Sequence, residues 1–252
     1  MRAILFCLLF FWQAHASAAS LADTVEEIKP SVVAIGTYQQ DRAPPLKFLG
    51  TGFAVSDGNH VITNFHVVSG ILDAEQQEKL VVFTGNGEKA RVYGAEKVRV
   101  DRMHDLALLK FEGPAMPVLH FGDSGALREG DSLAFTGFPI GVVLGYYPVT
   151  HKATLSSITP IVIPAQNSNQ LTARAISQLR TPFRVFQLDG TAYPGNSGSP
   201  LYLPETGKVV GIVNMVFVKN VKESVLSDPS GIAYAIPGDY ISSLIRDAGL
   251  TP

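Results

Sequence analysis

Short apolar runs, rich in β-branched and aromatic residues, alternate along this chain with clusters of turn-forming residues. The runs favour strands and the glycine, asparagine and aspartate clusters favour tight turns. We predict strands at 31–38, 48–55, 60–63, 80–83, 90–94, 96–101, 106–112, 132–137, 147–158, 185–188, 201–202, 209–218 and 231–236. Many short strands at this spacing are typical of a sandwich or a barrel and not of alternating βα units. About a dozen strands would crowd one barrel, so two small barrels are plausible.

Two helices and one irregular segment complete the expected layout. A short amphipathic helix is predicted at Leu21–Ile28, and a closing helix at 239–248. Asp239 is expected to cap the closing helix, and Gly249 lies just past its end. The polar segment 166–181 predicts a surface loop or a short helix.

Length and composition exclude several classes of protein. The chain has 252 residues, of which 46% are hydrophobic and 17% charged, a composition that supports a folded core and not a disordered chain. The length fits one all-β domain or two smaller ones. The net charge is −2 and no basic run occurs, so nothing indicates a nucleic-acid partner.

The N-terminus has the pattern of a secretory signal peptide. Arg2 precedes an uncharged apolar stretch at 3–12, and small residues at 16–20 suit cleavage. We therefore predict a signal peptide at 1–18 and an exported protein, periplasmic or secreted, without a stable membrane anchor, because the apolar run is too short to span a bilayer. Cleavage would remove Cys7, the only cysteine. The mature protein would then have no disulfide, no catalytic thiol and no cysteine-ligated metal.

One late stretch, 193–200, has the features of a nucleophile loop. Ser197 lies between two glycines, shortly after Pro194-Gly195 and just before a strand-like run. A serine nucleophile needs a base within hydrogen-bond reach and backbone N–H donors for the developing oxyanion. Flanking glycines permit the tight backbone that brings these groups together. The alternative is an ordinary surface loop rich in turn formers.

His66 is the histidine best placed to act as that base. It follows a buried strand where the chain enters a turn, and its apolar neighbours would hold it there. Four other histidines lie at strand edges or in loops without an obvious supporting cluster: His60, His104, His120 and His151.

Asp105 is the candidate acid that would orient the base. It opens an apolar run at 106–109, and a carboxylate in that position is costly to bury unless it is paired. The alternative is that Asp105 simply begins a strand at the surface.

The segments around His66, Asp105 and Ser197 occur in an order that resembles the chymotrypsin-fold serine proteases. They look most like the HtrA (DegP-like) branch of exported bacterial proteases. The further matches are 28–35, 50–53, 121–124 with 129–131, 137–139, 207–214 and 234–237. The resemblance implies an all-β, chymotrypsin-like fold of two six-stranded antiparallel β-barrels, with the short N-terminal and C-terminal helices. The protease domain would then occupy 19–252, with one barrel at about 21–125 and the second, with the closing helix, at 126–252.

The resemblance also implies the chemistry and the site. His66, Asp105 and Ser197 would form the catalytic triad of a serine endopeptidase that works through an acyl-enzyme. The remaining implied residues are Gly195, Asn196 and Ser197 for the oxyanion hole, and Thr191, Ala192, Tyr193, Asn214, Met215 and Val216 for substrate binding. The binding segments carry no charge, so we expect small or medium aliphatic residues before the scissile bond. We expect polypeptide substrates, among them unfolded or misfolded proteins. We also expect a homotrimer, and no cofactor or metal.

Four features qualify what is carried over from these protease families. Ser199 stands where the family has a second glycine, and the segment 161–184 looks longer than in typical members. We do not expect the C-terminal PDZ domains of the family, nor activation through them. Asn196 cannot form the ion pair that an aspartate before the nucleophile forms in many digestive proteases, so no zymogen cleavage of that kind is expected.

Two other functions remain open from the sequence. One is a non-catalytic chaperone-like or binding module on the same fold, which a misplaced oxyanion loop would produce. The other is a metal-dependent hydrolase, although no H-x-x-x-H or related spacing supports it.

Overall fold

The computed structural model describes residues 20–85, 87–139, 145–160, 183–214 and 231–252. The predicted signal peptide and the segment 166–181 lie outside them. The strands are β1 Val32–Tyr38, β2 Leu46–Val55, β3 His60–Asn64, β4 Lys79–Thr84, β5 Arg91–Asp101, β6 Leu106–Phe111, β7 Ser132–Gly137, β8 Val149–Pro160, β9 Arg184–Asp189, β10 Pro200–Tyr202, β11 Val209–Asn214 and β12 Ile232–Pro237. The α-helices of the described residues are α1 Leu21–Ile28, α2 Phe65–Val68 and α3 Gly238–Asp247.

The strands close into two barrels of six strands each, with the same order in both. The first barrel runs β1-β2-β3-β6-β5-β4 and the second runs β7-β8-β9-β12-β11-β10. Neighbouring strands are antiparallel throughout. Closure leaves no unpaired sheet edge in either barrel. The predicted fold, two six-stranded antiparallel barrels with short helices at the N- and C-terminal ends, is confirmed.

Several strands bury both faces, which explains why their sequences are continuously apolar. On β1, Val33 and Ile35 belong to a buried cluster that draws only on residues of the first barrel and its connections. The alternate residues Val32 and Ala34 join a second cluster that also contains Tyr202 of the second barrel. Because successive side chains on a strand point to opposite faces, one strand can serve both clusters. The shared cluster packs the barrels against each other.

β5 corrects one prediction from sequence. The separate strands expected at 90–94 and 96–101 are one strand, Arg91–Asp101, with a register irregularity between Lys97 and Arg99. Pairing with β4 and β6 along its length carries the strand through Gly94, which had suggested an interruption.

The C-terminal helix departs from the prediction at its start and agrees with it at its end. The expected cap at Asp239 is wrong: the helix begins at Gly238 directly after Pro237, and Asp239 lies in its first turn, where its N–H donates to the Ser124 hydroxyl at 3.3 Å. The end is as predicted, since Gly249 has φ +77° and the Leu250 N–H donates to the Ile245 carbonyl at 3.1 Å.

None of the helices in the described part of the chain has the length and apolar character needed to cross a membrane.

Candidate active site

The pairing of β3 with β6 brings His66 next to Asp105. Asn64 at the end of β3 lies opposite Leu106 at the start of β6, so the residues just beyond them are neighbours. The single helical turn α2 starts at Phe65 and carries His66, whose side chain is 17% exposed. The Phe65 N–H donates to the Asp105 carbonyl at 2.9 Å, which fixes the start of this turn against the β5–β6 connection.

Asp105 is fully buried, and both of its carboxylate oxygens have hydrogen-bond partners. Its backbone has φ +56°, in the left-handed region that aspartate tolerates better than most residues. Its Oδ1 accepts from the His66 backbone N–H at 3.0 Å, and its Oδ2 lies 2.6 Å from His66 Nδ1. An ionised carboxylate only accepts hydrogen bonds, so Nδ1 carries the proton and Nε2 is left as the acceptor. The structure therefore places Asp105 against the imidazole and not at the surface.

Ser197 approaches the same imidazole from the second barrel. It lies in the loop before β10 and is 5% exposed. Its Oγ is 3.0 Å from His66 Nε2, within hydrogen-bond range of the acceptor nitrogen. The three residues identified from the sequence thus form one chain of contacts, Asp105 to His66 to Ser197, across the boundary between the barrels.

The backbone before Ser197 forms a type II turn. The Asn196 N–H donates to the Tyr193 carbonyl at 2.9 Å, and Gly195 at the third position has φ +103°. Proline at the second position and glycine at the third are the residues that a type II turn requires. A type I turn of the same four residues would turn the Pro194–Gly195 peptide over and reverse its N–H. In the described residues the Gly195 N–H donates to no protein group, so it is available to an incoming oxygen.

Two polar side chains lie buried behind this turn. Among the described residues, neither the amide nitrogen nor the amide oxygen of Asn196 has a hydrogen-bond partner, and Asn196 is 0% exposed. The hydroxyl of Ser199, also fully buried, has no partner in the same part of the chain.

The predicted substrate-binding residues are only partly described. Thr191 and Tyr193 are half-buried, and Ala192 belongs to the core of the second barrel. Asn214 ends β11 and turns its side chain to Asp105, where Nδ2 donates to Oδ2 at 2.7 Å. Sequence reasoning did not find this contact, because nothing in the local sequence indicates which carboxylate a strand-end amide will meet. Met215 and Val216 lie outside the described residues.

Two further histidines have partners that the sequence did not reveal. His60 Nδ1 lies 2.8 Å from Asp57, and His104 Nδ1 lies 2.5 Å from Asp101. His104 also stacks on Tyr240, with ring centroids 4.0 Å apart. Each aspartate is three residues before its histidine, a spacing that closes a local turn.

His151 lies in a different setting. Its ring stacks on Phe135 at 4.9 Å, and its buried Nε2 has no hydrogen-bond partner in the part of the chain that the structure describes. Burial lowers the pKa of this histidine. Within the described ranges no three histidine, cysteine, aspartate or glutamate side chains come together as a metal site.

A family model described as the trypsin-like peptidase domain matches residues 50–212. The chain therefore belongs to the trypsin-like peptidase family. More particularly, it is similar to the probable periplasmic serine endoprotease DegP-like of Chlamydia trachomatis, with 35% identity over 207 residues that cover 80% of this chain and 35% of that protein. It is also similar to human serine protease HTRA3, with 31% identity over 232 residues that cover 90% of this chain and 44% of the relative. The predicted relationship to HtrA and DegP proteases is confirmed.

A solved structure shows the same fold. The HtrA-type protease AlgW, in a variant with a tripeptide, aligns with a TM-score of 0.63 and 22% identity over 91% of this chain and 63% of the other. The chain spans less than half the length of the two curated relatives above.

Proposed function

We propose that this protein is a serine endopeptidase that hydrolyses peptide bonds through an acyl-enzyme. The observation that carries the proposal is the continuous contact from Asp105 Oδ2 to His66 Nδ1 at 2.6 Å and from His66 Nε2 to Ser197 Oγ at 3.0 Å. A nucleophile, a base in the correct tautomer and an orienting carboxylate are the three groups that such a reaction needs.

In the proposed reaction, the Ser197 Oγ forms a bond to the substrate carbonyl carbon while its proton passes to His66 Nε2. The C–N bond then breaks and His66 delivers that proton to the leaving amine. A water molecule then attacks the acyl-enzyme: His66 takes one of its protons while the water oxygen bonds to the carbonyl carbon. The ester bond between that carbon and Ser197 Oγ breaks, His66 returns the proton to Oγ, and the carboxylic acid product leaves. Asp105 holds the imidazole in place and stabilises its cationic form.

The oxyanion hole would lie in the 195–197 turn, with the backbone N–H groups of Gly195 and Ser197 as donors and Asn196 between them. Support comes from the type II turn at Tyr193–Asn196, with its positive φ at Gly195, and from the Gly195 N–H, which has no protein partner among the described residues. Donors placed before the substrate arrives cost no reorganisation when the charge develops.

We further propose a preference for small or medium aliphatic residues before the scissile bond. No charged side chain occurs at Thr191, Ala192, Tyr193 or Asn214. Asp189, the nearest acidic residue upstream, is exposed at the end of β9 and lines a separate groove with Lys152 and Glu205. Cleavage of a peptide library that varies only at this residue tests the preference, and faster cleavage after lysine or arginine contradicts it.

The relatives described as probable periplasmic serine endoproteases support export of this chain and polypeptide substrates. Unfolded or misfolded proteins as substrates stay a prediction. A homotrimer stays a prediction, tested by the mass of the protein in solution.

Hydrolysis of fluorescein-labelled casein, an unfolded polypeptide, tests the activity. We expect wild-type protein to release small fragments and the Ser197→Ala variant to release none, with no inhibition by a chelator. Equal hydrolysis by both proteins would assign the activity to another group. Binding of casein by both proteins without hydrolysis by either would favour the non-catalytic module.

A further inference from the structure

Thr51 connects the two barrels directly behind the candidate oxyanion turn. It lies in β2 of the first barrel and is 0% exposed. Its hydroxyl donates to the Gly195 carbonyl at 2.7 Å and accepts from the Phe138 N–H at 3.0 Å. Because the Phe138 N–H already supplies a proton to this oxygen, the hydroxyl proton is directed at Gly195.

The backbone of Thr51 makes a second connection to the same loop. Its N–H donates to the Ser197 carbonyl at 2.8 Å. One residue of the first barrel thus holds the carbonyls of both residues whose N–H groups are the proposed oxyanion donors. The fit is close, since a Cβ at Gly198 would collide with the Thr51 carbonyl oxygen, and Gly198 has φ +91°.

Thr51 also shares a rigid frame with the candidate base. β2 pairs with β3, where Phe53 lies opposite Ile62, and β3 leads into the turn that carries His66. The Thr63 hydroxyl of β3 donates to the Thr51 carbonyl at 2.7 Å. The base and the support of the oxyanion turn are therefore fixed to the same pair of strands, although the nucleophile belongs to the other barrel.

We infer that Thr51 is a positioning residue that sets the oxyanion turn relative to His66. The inference rests on the proposed peptidase function and adds a group that never touches the substrate. The hydroxyl bond fixes the carbonyl of Gly195, and with it the peptide plane that joins Gly195 to Asn196. Without that bond the Gly195 carbonyl loses its hydrogen bond to the first barrel, and the Gly195 N–H can drift from the position that the oxyanion takes.

Three substitutions separate positioning from general stability. Thr51→Val keeps the shape of the side chain and removes the hydroxyl, whereas Thr51→Ser keeps the hydroxyl. Thr24→Val is the matched control, because Thr24 is also buried and its hydroxyl also donates to a backbone carbonyl, that of Pro204, at 2.7 Å. That contact joins α1 to the loop between β10 and β11, outside the candidate site.

The probe is a rhodamine fluorophosphonate, whose phosphoryl oxygen takes the place of the oxyanion. Loss of a direct oxyanion donor lowers kcat about 10²–10³-fold, and a residue that acts through the donor is expected to lower the rate about tenfold. We therefore expect Thr51→Val to lower the maximal labelling rate of Ser197 about tenfold with little change in the half-saturating probe concentration. Thr51→Ser should restore the rate, and Thr24→Val should leave it unchanged.

A Thr51→Val protein that labels at the wild-type rate would overturn the inference and leave the proposed function intact. An equal fall in Thr51→Val and Thr24→Val would also overturn it, because the effect would then follow stability. A wild-type protein that neither labels nor cleaves casein would overturn the proposed function, and the inference with it.

Discussion

Asn214 holds Asp105 from the second barrel, with Nδ2 donating to the carboxylate Oδ2 at 2.7 Å. The same oxygen faces His66 Nδ1 at 2.6 Å. The carboxylate that orients the imidazole is therefore itself oriented by a side chain at the end of β11. Asn214 is fully buried, so the solvent does not compete for this contact.

Asn214→Ala is expected to lower kcat about tenfold while changing KM little, because a hydrogen bond to a charged group contributes about 1.5–3 kcal/mol and only part of it bears on the imidazole. Casein hydrolysis across a range of substrate concentrations separates the two constants. Circular dichroism of the variant checks that the fold is retained. An unchanged kcat would show that Asp105 does not need this donor.

Asn196→Asp is expected to destabilise the protein by about 3 kcal/mol or more at neutral pH. The side chain at 196 is fully buried and has no hydrogen-bond partner within the described ranges, so an ionised carboxylate there would be an uncompensated buried charge. Urea unfolding at pH 8 measures the difference. An aspartate variant as stable as the wild-type protein at pH 8 would contradict this prediction, because it would show that the buried carboxyl group is compensated or neutral there.

Glu78 is expected to make stability depend on pH in the acid range. Hydrogen bonds from Thr37 and Arg42 lower the pKa of Glu78 from 4.5 to about 2. A lowered pKa in the folded state means that the stabilisation is present above pH 4.5 and is lost as the pH falls towards 2. Glu78→Gln should therefore cost about 1 kcal/mol at pH 7, as partly exposed ion pairs do, and progressively less at lower pH.

Urea unfolding between pH 5 and pH 3 measures this slope, at intervals about half a pH unit apart. The exposed Glu26 of α1 supplies the control, since Glu26→Gln should leave the slope of the wild-type protein unchanged. If the free energy of unfolding changed equally with pH in the wild-type and Glu78→Gln proteins, the proposed contribution of Glu78 to acid stability would be wrong.

The sequence predicts most of the barrels because the physical signal is local. Apolar runs bounded by Asp57-Gly58 and similar turns are strands whatever lies next to them. The interruption expected at Gly94 fails because pairing with two neighbours outweighs the weak strand preference of one glycine. The cap expected at Asp239 fails because β12 runs directly into the helix through Pro237.

The candidate site, like the fold, is only partly predictable from the sequence. The sequence indicates a nucleophile, a base and an acid, because each shows its chemistry in its own segment. It does not indicate Thr51 or the contact of Asn214 with Asp105, because those roles arise only when the two barrels meet. Residues that act through another residue carry no local signature, so only the assembled fold reveals them.

The most direct test of the central claim is the site of covalent labelling by a fluorophosphonate, mapped by mass spectrometry of the digested protein. We expect one adduct on Ser197 at neutral pH, with no adduct in Ser197→Ala and strongly slowed labelling in His66→Ala. Labelling of another residue, or fragmentation of casein by the Ser197→Ala protein at the wild-type rate, would contradict it.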